Sequence, residues 1–254
     1  MFKFRLKFSK VLYWIIDIGN TRAKFFSYDK DQWQEHNSVS LDSFASKAET
    51  LIADPKSVNG LIFSDVGGVG ERFFKKKSYP FPLLAVSSQM LLPFKNNYQT
   101  PHLLGADRLA LVAAAAHKHP QTNVLIIDLG TCITYDFLSS DAIYRGGAIS
   151  PGFQMRYKAL HQYTGKLPLL MPEQISQPEG NCTNNSIHAG IYYGIVDEIL
   201  GRIEHYRAKY EFLTVILTGG DANKLPKTLK NVIFAHSNFL AEGMLHLLKL
   251  NIDS

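Results

Sequence analysis

The sequence predicts an α/β protein of two similar lobes with a cleft between them, and three observations carry that prediction. The runs IIDIGNT (15–21) and IIDLGTC (126–132) are nearly the same, and each closes on Asp-x-Gly. Each is followed by a second β-prone run, AKFFSYD in the first half and CITYDFL in the second. Helix-forming stretches stand behind both pairs. Strand-rich beginnings with helices after them, met twice, describe a duplicated unit.

The strand ends come first. An apolar run that stops at Asp-x-Gly ends abruptly, because a carboxylate is costly inside a core and glycine lets the backbone turn sharply. Placing Asp17 over Asp128 also aligns Ile15 with Ile126, Ile16 with Ile127, Gly19 with Gly130 and Phe26 with Phe137. Each copy therefore reads as two antiparallel strands joined by a tight polar turn. A third run, AIYRGGAIS, continues the second copy. GADRLALVAAAAHKH is rich in Ala and Leu and is stopped by Pro120, which sets the division between a lobe of residues 1–119 and one of residues 120–254. From Ser186 to about Tyr210, Ile187, Ile191, Ile195, Ile199 and Ile203 recur at helical spacing and predict one buried helix face. TVILTGGDANKL is a buried strand ending in a Gly-Gly turn, and FLAEGMLHLLKL is an apolar helix. PLLMPEQISQPEG is broken by prolines and reads as an irregular loop.

Composition narrows what such a protein can do. The chain has 254 residues, 46% hydrophobic and 19% charged, which is the profile of a globular protein with a sizeable core. A net charge of +5 with Lys and Arg spread along the chain suits an anionic substrate and does not argue for nucleic acid. Cys132 and Cys182 lie far apart without metal-ligand spacing, as expected of free thiols in a reducing compartment. The run 11–16 is too short for a signal sequence, and no stretch approaches the roughly 20 apolar residues of a membrane span. A cytoplasmic location is the expectation. The histidines are scattered, with His161 and His188 expected at the surface or a pocket rim, so a transition-metal site is not indicated. GGVGERFFKKK lacks the closing Gly-Lys-Ser/Thr of a phosphate-binding P-loop and reads as a mobile surface turn with a solvated basic face.

The repeated turns carry the chemistry. One Asp-Gly turn alone is most simply structural. Two matching loops each offer backbone N–H groups and a hydroxyl, from Thr21 or Thr131, which together suit phosphate oxygens. Lys24 follows closely enough to reach the same phosphate. Paired carboxylates, Asp17 and Asp128, facing each other near phosphates position a hydrated Mg²⁺. Asp107 precedes a strong helix, where the dipole keeps a carboxylate ionised; it either caps that helix, with Arg108 paired on the surface, or serves as a base. Gly146 and Gly147 suggest close backbone approach by a ligand or a tight turn, and Ser150-Pro151-Gly152 starts the following helix.

DIGNTRAK, GADR, DLGTCITYD, GGAISPG and LTGG, in this order and spacing, resemble the type III pantothenate kinases of the acetate and sugar kinase/heat-shock chaperone/actin superfamily. The resemblance runs from about Trp14 to the last helix and leaves the first dozen residues, a short basic extension, without a role. It implies two ribonuclease H-like lobes, the actin-like ATPase duplication, with a nucleotide cleft between them. It implies phosphorylation of pantothenate by ATP with Mg²⁺, the first step of coenzyme A biosynthesis. Asp17, Ile18, Gly19, Asn20, Thr21, Arg22, Ala23 and Lys24 would form the first phosphate loop, and Thr131 would contact ATP in the second. Asp128 would bind a monovalent cation, K⁺ or NH₄⁺. Gly105, Ala106, Asp107 and Arg108 would hold pantothenate with Asp107 as proton acceptor, joined by Tyr98 and Thr183. The TGG turn would pack adenosine, and the family's homodimers imply a homodimer here. The alternatives are another small-molecule kinase on this scaffold and a non-catalytic transcriptional accessory factor of the same family.

Overall fold

A computed structural model describes residues 12–54, 57–173, 175, 177–226, 232–236 and 238–253. The chain packs as two compact units. The first holds the described residues up to Pro93, Thr100–Ala114 and those from Leu240 on; the second holds Phe94–Gln99 and the described residues of Ala115–Phe239. The expected basic extension, residues 1–11, lies outside the described residues.

In the first unit, β1 (Leu12–Ile18), β2 (Arg22–Asp29) and β3 (Gln32–Ser40) form an antiparallel meander, and β4 (Val58–Asp65) and β5 (Leu83–Ala85) run parallel to β1, giving the order β3-β2-β1-β4-β5. One face of this sheet buries Trp14, Ile16, Ile18, Phe25, Leu61 and Phe63 against Phe44 and Ala48 of α1 (Phe44–Leu51) and Phe74 of α2 (Val69–Phe74). The alternation along β1 and β2 follows the period of a pleated strand. The expected mobile turn at GGVGERFFKKK is therefore a correction: it contains the α2 helix, fixed because Phe74 is buried and packs on Phe44, Phe63 and Phe73. Its lysines do face water, with Lys75 paired to Glu71 and Lys77 to Glu49.

α3 (Ala106–Lys118) follows, and it ends just before Pro120 as the sequence predicts. In the second unit, β7 (Asn123–Leu129), β8 (Cys132–Leu138) and β9 (Ile143–Pro151) are antiparallel neighbours, β10 (Leu213–Thr218) and β11 (Ile233–Phe234) continue in parallel from β7, and β6 (Lys95–Asn96) adds an edge beside β9. The order β9-β8-β7-β10-β11 repeats the order of the first sheet strand for strand. Two ribonuclease H-like units, the duplication read from the sequence, are present.

The pairing corrects one detail of the internal match. Asp17 and Ile18 pair with Lys24 and Ala23, whereas Asp128 and Leu129 pair with Thr134 and Ile133. The second turn is one residue shorter, so Phe26 corresponds to Asp136 rather than to Phe137. α4 (Phe153–Gln162) and α5 (Thr183–Lys209) pack on the second sheet, with Ile187, Ile191, Ile195, Ile199 and Ile203 buried as the periodicity predicts. The described residues of the proline-broken segment between them carry neither helix nor strand. α6 (Phe239–Ile252), last in the sequence, lies almost wholly in the first unit, where Gly243 brings it against α3 closely enough that a Cβ would strike the backbone of Ala110 and Ala114. Among the described residues no helix is long and apolar enough to cross a membrane.

Candidate active site

In the first unit the loop after β1 is closed by the Gly19 amide donating to the Arg22 carbonyl at 3.0 Å. A Cβ on Gly19 would meet only that carbonyl, at 3.5 Å, so the loop is open on the side away from the protein. Asn20 and Thr21 are exposed, and Arg22 is held on β3 by donating to the Ser38 carbonyl and hydroxyl. Ile18 and Ala23 are fully buried and anchor the two strands. Lys24 stands opposite Asp17 in the hairpin, so both side chains leave the same face.

Asp17 is the electrostatic centre of this unit. Burial pushes its carboxyl above the ordinary carboxylate range, while the Ser64 hydroxyl and the Lys24 ammonium pull it down and the Asp107 carboxylate pushes it up again. The Ser64 hydroxyl, fully buried, donates to Asp17 Oδ1 at 2.7 Å. Ser64 reaches it because β4 runs parallel to β1 with Ser64 beside Asp17. Sequence reasoning missed Ser64; the only signal was a further apolar run ending in SDVGG. The charge of Asp107 is felt at Asp17, so the structure brings Asp17, Lys24 and Asp107 together within one unit.

Asp107 lies in the first turn of α3, and its Oδ1 accepts the Arg108 amide at 2.8 Å. That oxygen satisfies an amide of the helix's first turn, and the charge of Asp107 acts on Asp17. Gly105 makes this rotamer possible, because a Cβ there would collide with Asp107 Oδ1. Ala106 is half-buried, and Arg108 is buried at 5% exposure rather than paired on the surface.

The second unit repeats the device. The Gly130 amide donates to the Cys132 carbonyl at 3.0 Å, and Thr131 is exposed at the tip. Asp128, next to the last residue of β7, lies beside Thr218 of β10, where Gly219 has φ +98° and a Cβ would lie 2.5 Å from Asp128 Oδ1. Only glycine lets the TGG turn approach so closely. The Asp221 amide then donates to the Leu129 carbonyl at 3.0 Å, locking that turn to the Gly130 loop. Gly220 has open space around it.

Tyr98 packs on Gly146, whose φ is +88°, and stacks with Tyr144. Gly147 faces the backbone of Tyr135. Gly146 is required by its positive φ, and Gly147 by the close backbone of Tyr135. Thr183 is exposed at the start of α5. His188, expected at a rim, is buried and bonded to the Tyr157 hydroxyl at 2.7 Å, because its face of α5 turns toward α4. His161 is exposed as expected. Cys132 and Cys182 are free thiols. Among the described residues no group of three or more His, Cys, Asp or Glu could hold a metal ion.

A family model described as type III pantothenate kinase matches residues 13–205. A type III pantothenate kinase of Christiangramia forsetii is 44% identical over 93% of this chain and 98% of its own length. One from Flavobacterium psychrophilum is 43% identical over 90% of this chain and 95% of its own. Among solved structures, a Campylobacter jejuni protein described as a Baf family transcriptional activator is similar with TM-score 0.64 at 21% identity, covering 95% of this chain and all of its own. The apo ParM protein of psk41 is similar with TM-score 0.50 at 12% identity, covering 95% and 97%. These likenesses establish the actin-like ATPase fold for the two repeated units.

Proposed function

The chain belongs to the type III pantothenate kinase family, and we propose that it transfers a phosphoryl group from ATP to the hydroxyl of pantothenate with Asp107 as proton acceptor. The observation that carries the assignment of roles is the Asp17 cluster: a mostly enclosed carboxylate held by Ser64, with Lys24 and Asp107 close enough for their charges to act on it. Desolvating a carboxylate is unfavourable, and such a group is kept where a cationic ligand will face it.

The donor set fits a nucleoside triphosphate. The open Gly19 turn, the exposed Thr21 and Lys24 would receive phosphate oxygens in the first unit, and Gly130, Thr131 and the Gly219 turn would receive the nucleotide in the second. Asp17 would face hydrated Mg²⁺, as a carboxylate near phosphates does. Asp128 would bind the monovalent cation, K⁺ or NH₄⁺, a role supported by its place at the end of β7 beside the Gly219 turn. Bound Mg-ATP supplies the transferable phosphoryl group; the protein positions the acceptor and takes its proton. Asp107 is suited to this although a carboxylate is a weak base, because in a loose transition state the proton leaves late and position matters more than basicity. Buried Arg108 and Gly105 and Ala106 of the same turn would hold pantothenate, and Tyr98 and Thr183 are the further residues assigned to it. A cytoplasmic location and a homodimer complete the reading.

A coupled assay of the purified protein with Mg-ATP, K⁺ and pantothenate tests it. Turnover is expected with all three present and a marked loss when Na⁺ replaces K⁺. No phosphorylated product would overturn the assignment; an unchanged rate in Na⁺ would remove the role given to Asp128.

A further inference from the structure

Glu198, on α5, gathers donors from three other elements. Its Oε1 accepts the Tyr135 hydroxyl of β8 at 2.8 Å. Its Oε2 accepts the Ser150 hydroxyl of β9 at 3.0 Å and the guanidinium of Arg156 on α4. Arg156 also donates from Nε to the Pro151 carbonyl at 2.9 Å and from Nη2 to Ser150 Oγ at 3.2 Å. The side chains of the pair are only 24% and 20% exposed. Burial alone would push the Glu198 carboxyl up, but Arg156, Tyr135 and Ser150 together hold it below its ordinary value. It is therefore a charged anchor at neutral pH.

What this anchor holds is the turn 150–152, and that turn is wedged against the second phosphate loop. The Gly152 amide donates to the Thr131 carbonyl at 3.1 Å. A Cβ on Gly152 would run into the carbonyl oxygens of Gly130 and Thr131, so the two backbones are in direct contact. Tyr135 lies on the strand that leaves the same loop. Glu198 thus grips the strand after the loop through one oxygen and the turn beside the loop through the other. An ion pair of this kind is weak evidence for stability, since well-packed apolar residues serve as well. Its use lies in the orientation it fixes.

We infer that Glu198 is a positioning residue for the nucleotide: acting through Ser150, Arg156 and the 150–152 turn, it fixes Gly130 and Thr131 in the conformation that receives ATP. The inference rests on the reading of Thr131 as an ATP contact. It touches neither the Asp17 cluster nor the residues assigned to pantothenate, so its effect is confined to one substrate.

Glu198→Gln keeps the size and one acceptor but removes the charge that holds Arg156. The variant is expected to raise KM for ATP by about tenfold, the scale of loss that follows from a small misplacement of a binding group, with KM for pantothenate within about twofold of wild type. Binding of a non-hydrolysable ATP analogue, read by calorimetry, is expected to weaken in parallel. Ser150→Ala, which removes one donor and leaves the ion pair, is expected to shift KM for ATP in the same direction by a smaller factor. It carries the test if Glu198→Gln does not fold. An active wild type beside a variant with unchanged analogue affinity, or with both KM values raised equally, would overturn the positioning role alone. A wild type that phosphorylates pantothenate with no use of ATP would overturn the underlying assignment as well.

Discussion

A base for an alcohol proton, the role proposed for Asp107, must be held in place, and among the described residues the Arg108 amide donates to its Oδ1. Asn at this position keeps an oxygen for that amide and loses the negative charge felt at Asp17 together with the capacity to take a proton. Asp107→Asn is therefore expected to melt at the wild-type temperature and to turn over at least ~100-fold more slowly, the usual scale for loss of a positioned general base. Equal rates in stopped assays would remove Asp107 from the chemistry. Asp17 makes the opposite trade. Its folded-state pKa is raised above the ordinary value of 3.8, chiefly by burial. A group so raised contributes stability below its unfolded value and loses that contribution as pH rises through the folded value, so ionised Asp17 is a net cost at pH 7. Asp17→Asn is expected to raise the thermal midpoint at pH 7 by roughly 2–4 °C, the shift that about 1 kcal/mol produces in a chain of this size, while activity falls. The gain should shrink as pH is lowered toward 4. A lower midpoint at pH 7 would mean that the carboxylate is a structural asset rather than a group kept for its ligand. Neither residue's neighbourhood was readable along the chain: both Asp-x-Gly ends stand out as strings, but the contact of Ser64 with Asp17 depends on a parallel pairing of strands distant in sequence.

At the scale of elements, legibility followed local pattern. The two hairpins, the Ile stripe of α5 and the Ala-rich α3 were readable because period, turn residues and a closing proline all agree. β3 was not, because its residues QWQEHNSVS face largely outward and carry little apolar alternation. α2 was hidden because six residues are too few to show a period and its lysines dominate the string. The one-residue difference between the two turns escaped an ungapped comparison, although strand register shows it at once. Gly243 is a further case in which string and fold point in opposite directions. Inside a helix, alanine is favoured over glycine by about 1 kcal/mol. In α6, however, a Cβ at this position would lie 2.9 Å from Ala110 C and Ala114 N and closer still to the Ala110 carbonyl oxygen. Backbone cannot rotate aside as a side chain can, so α3 and α6 would have to separate. Gly243→Ala is expected to lose about 1–3 kcal/mol of stability in chemical unfolding despite the better helix propensity, as overpacking does. A stabilised variant would show that this crossing is looser than the backbone approach implies.

For the whole molecule, the repeated strand order explains why one short string recurs: each unit sets a carboxylate next to the last residue of its first strand and turns through glycine into an antiparallel partner. The duplication was legible; the return of α6 to the first unit was not, since nothing in an apolar helix names the unit it will cover. The first unit is thus completed only by the end of the chain, and Asp107 stands on a helix whose first part that last helix packs against. The proposed function assigns a nucleotide contact to the Asp-x-Gly loop of each unit, so binding is expected to be felt at both loops. A nucleotide at a hundred times its dissociation constant stabilises the bound form by about 2.7 kcal/mol, and amides that open locally should slow accordingly. Hydrogen exchange with and without Mg²⁺ and a non-hydrolysable ATP analogue is therefore expected to show new protection at 17–24 and at 129–132 in the same titration, with one midpoint. Protection confined to one loop, or two midpoints at different concentrations, would show that each unit meets its ligand alone and would remove the shared-nucleotide reading, whatever the likeness of the two loops.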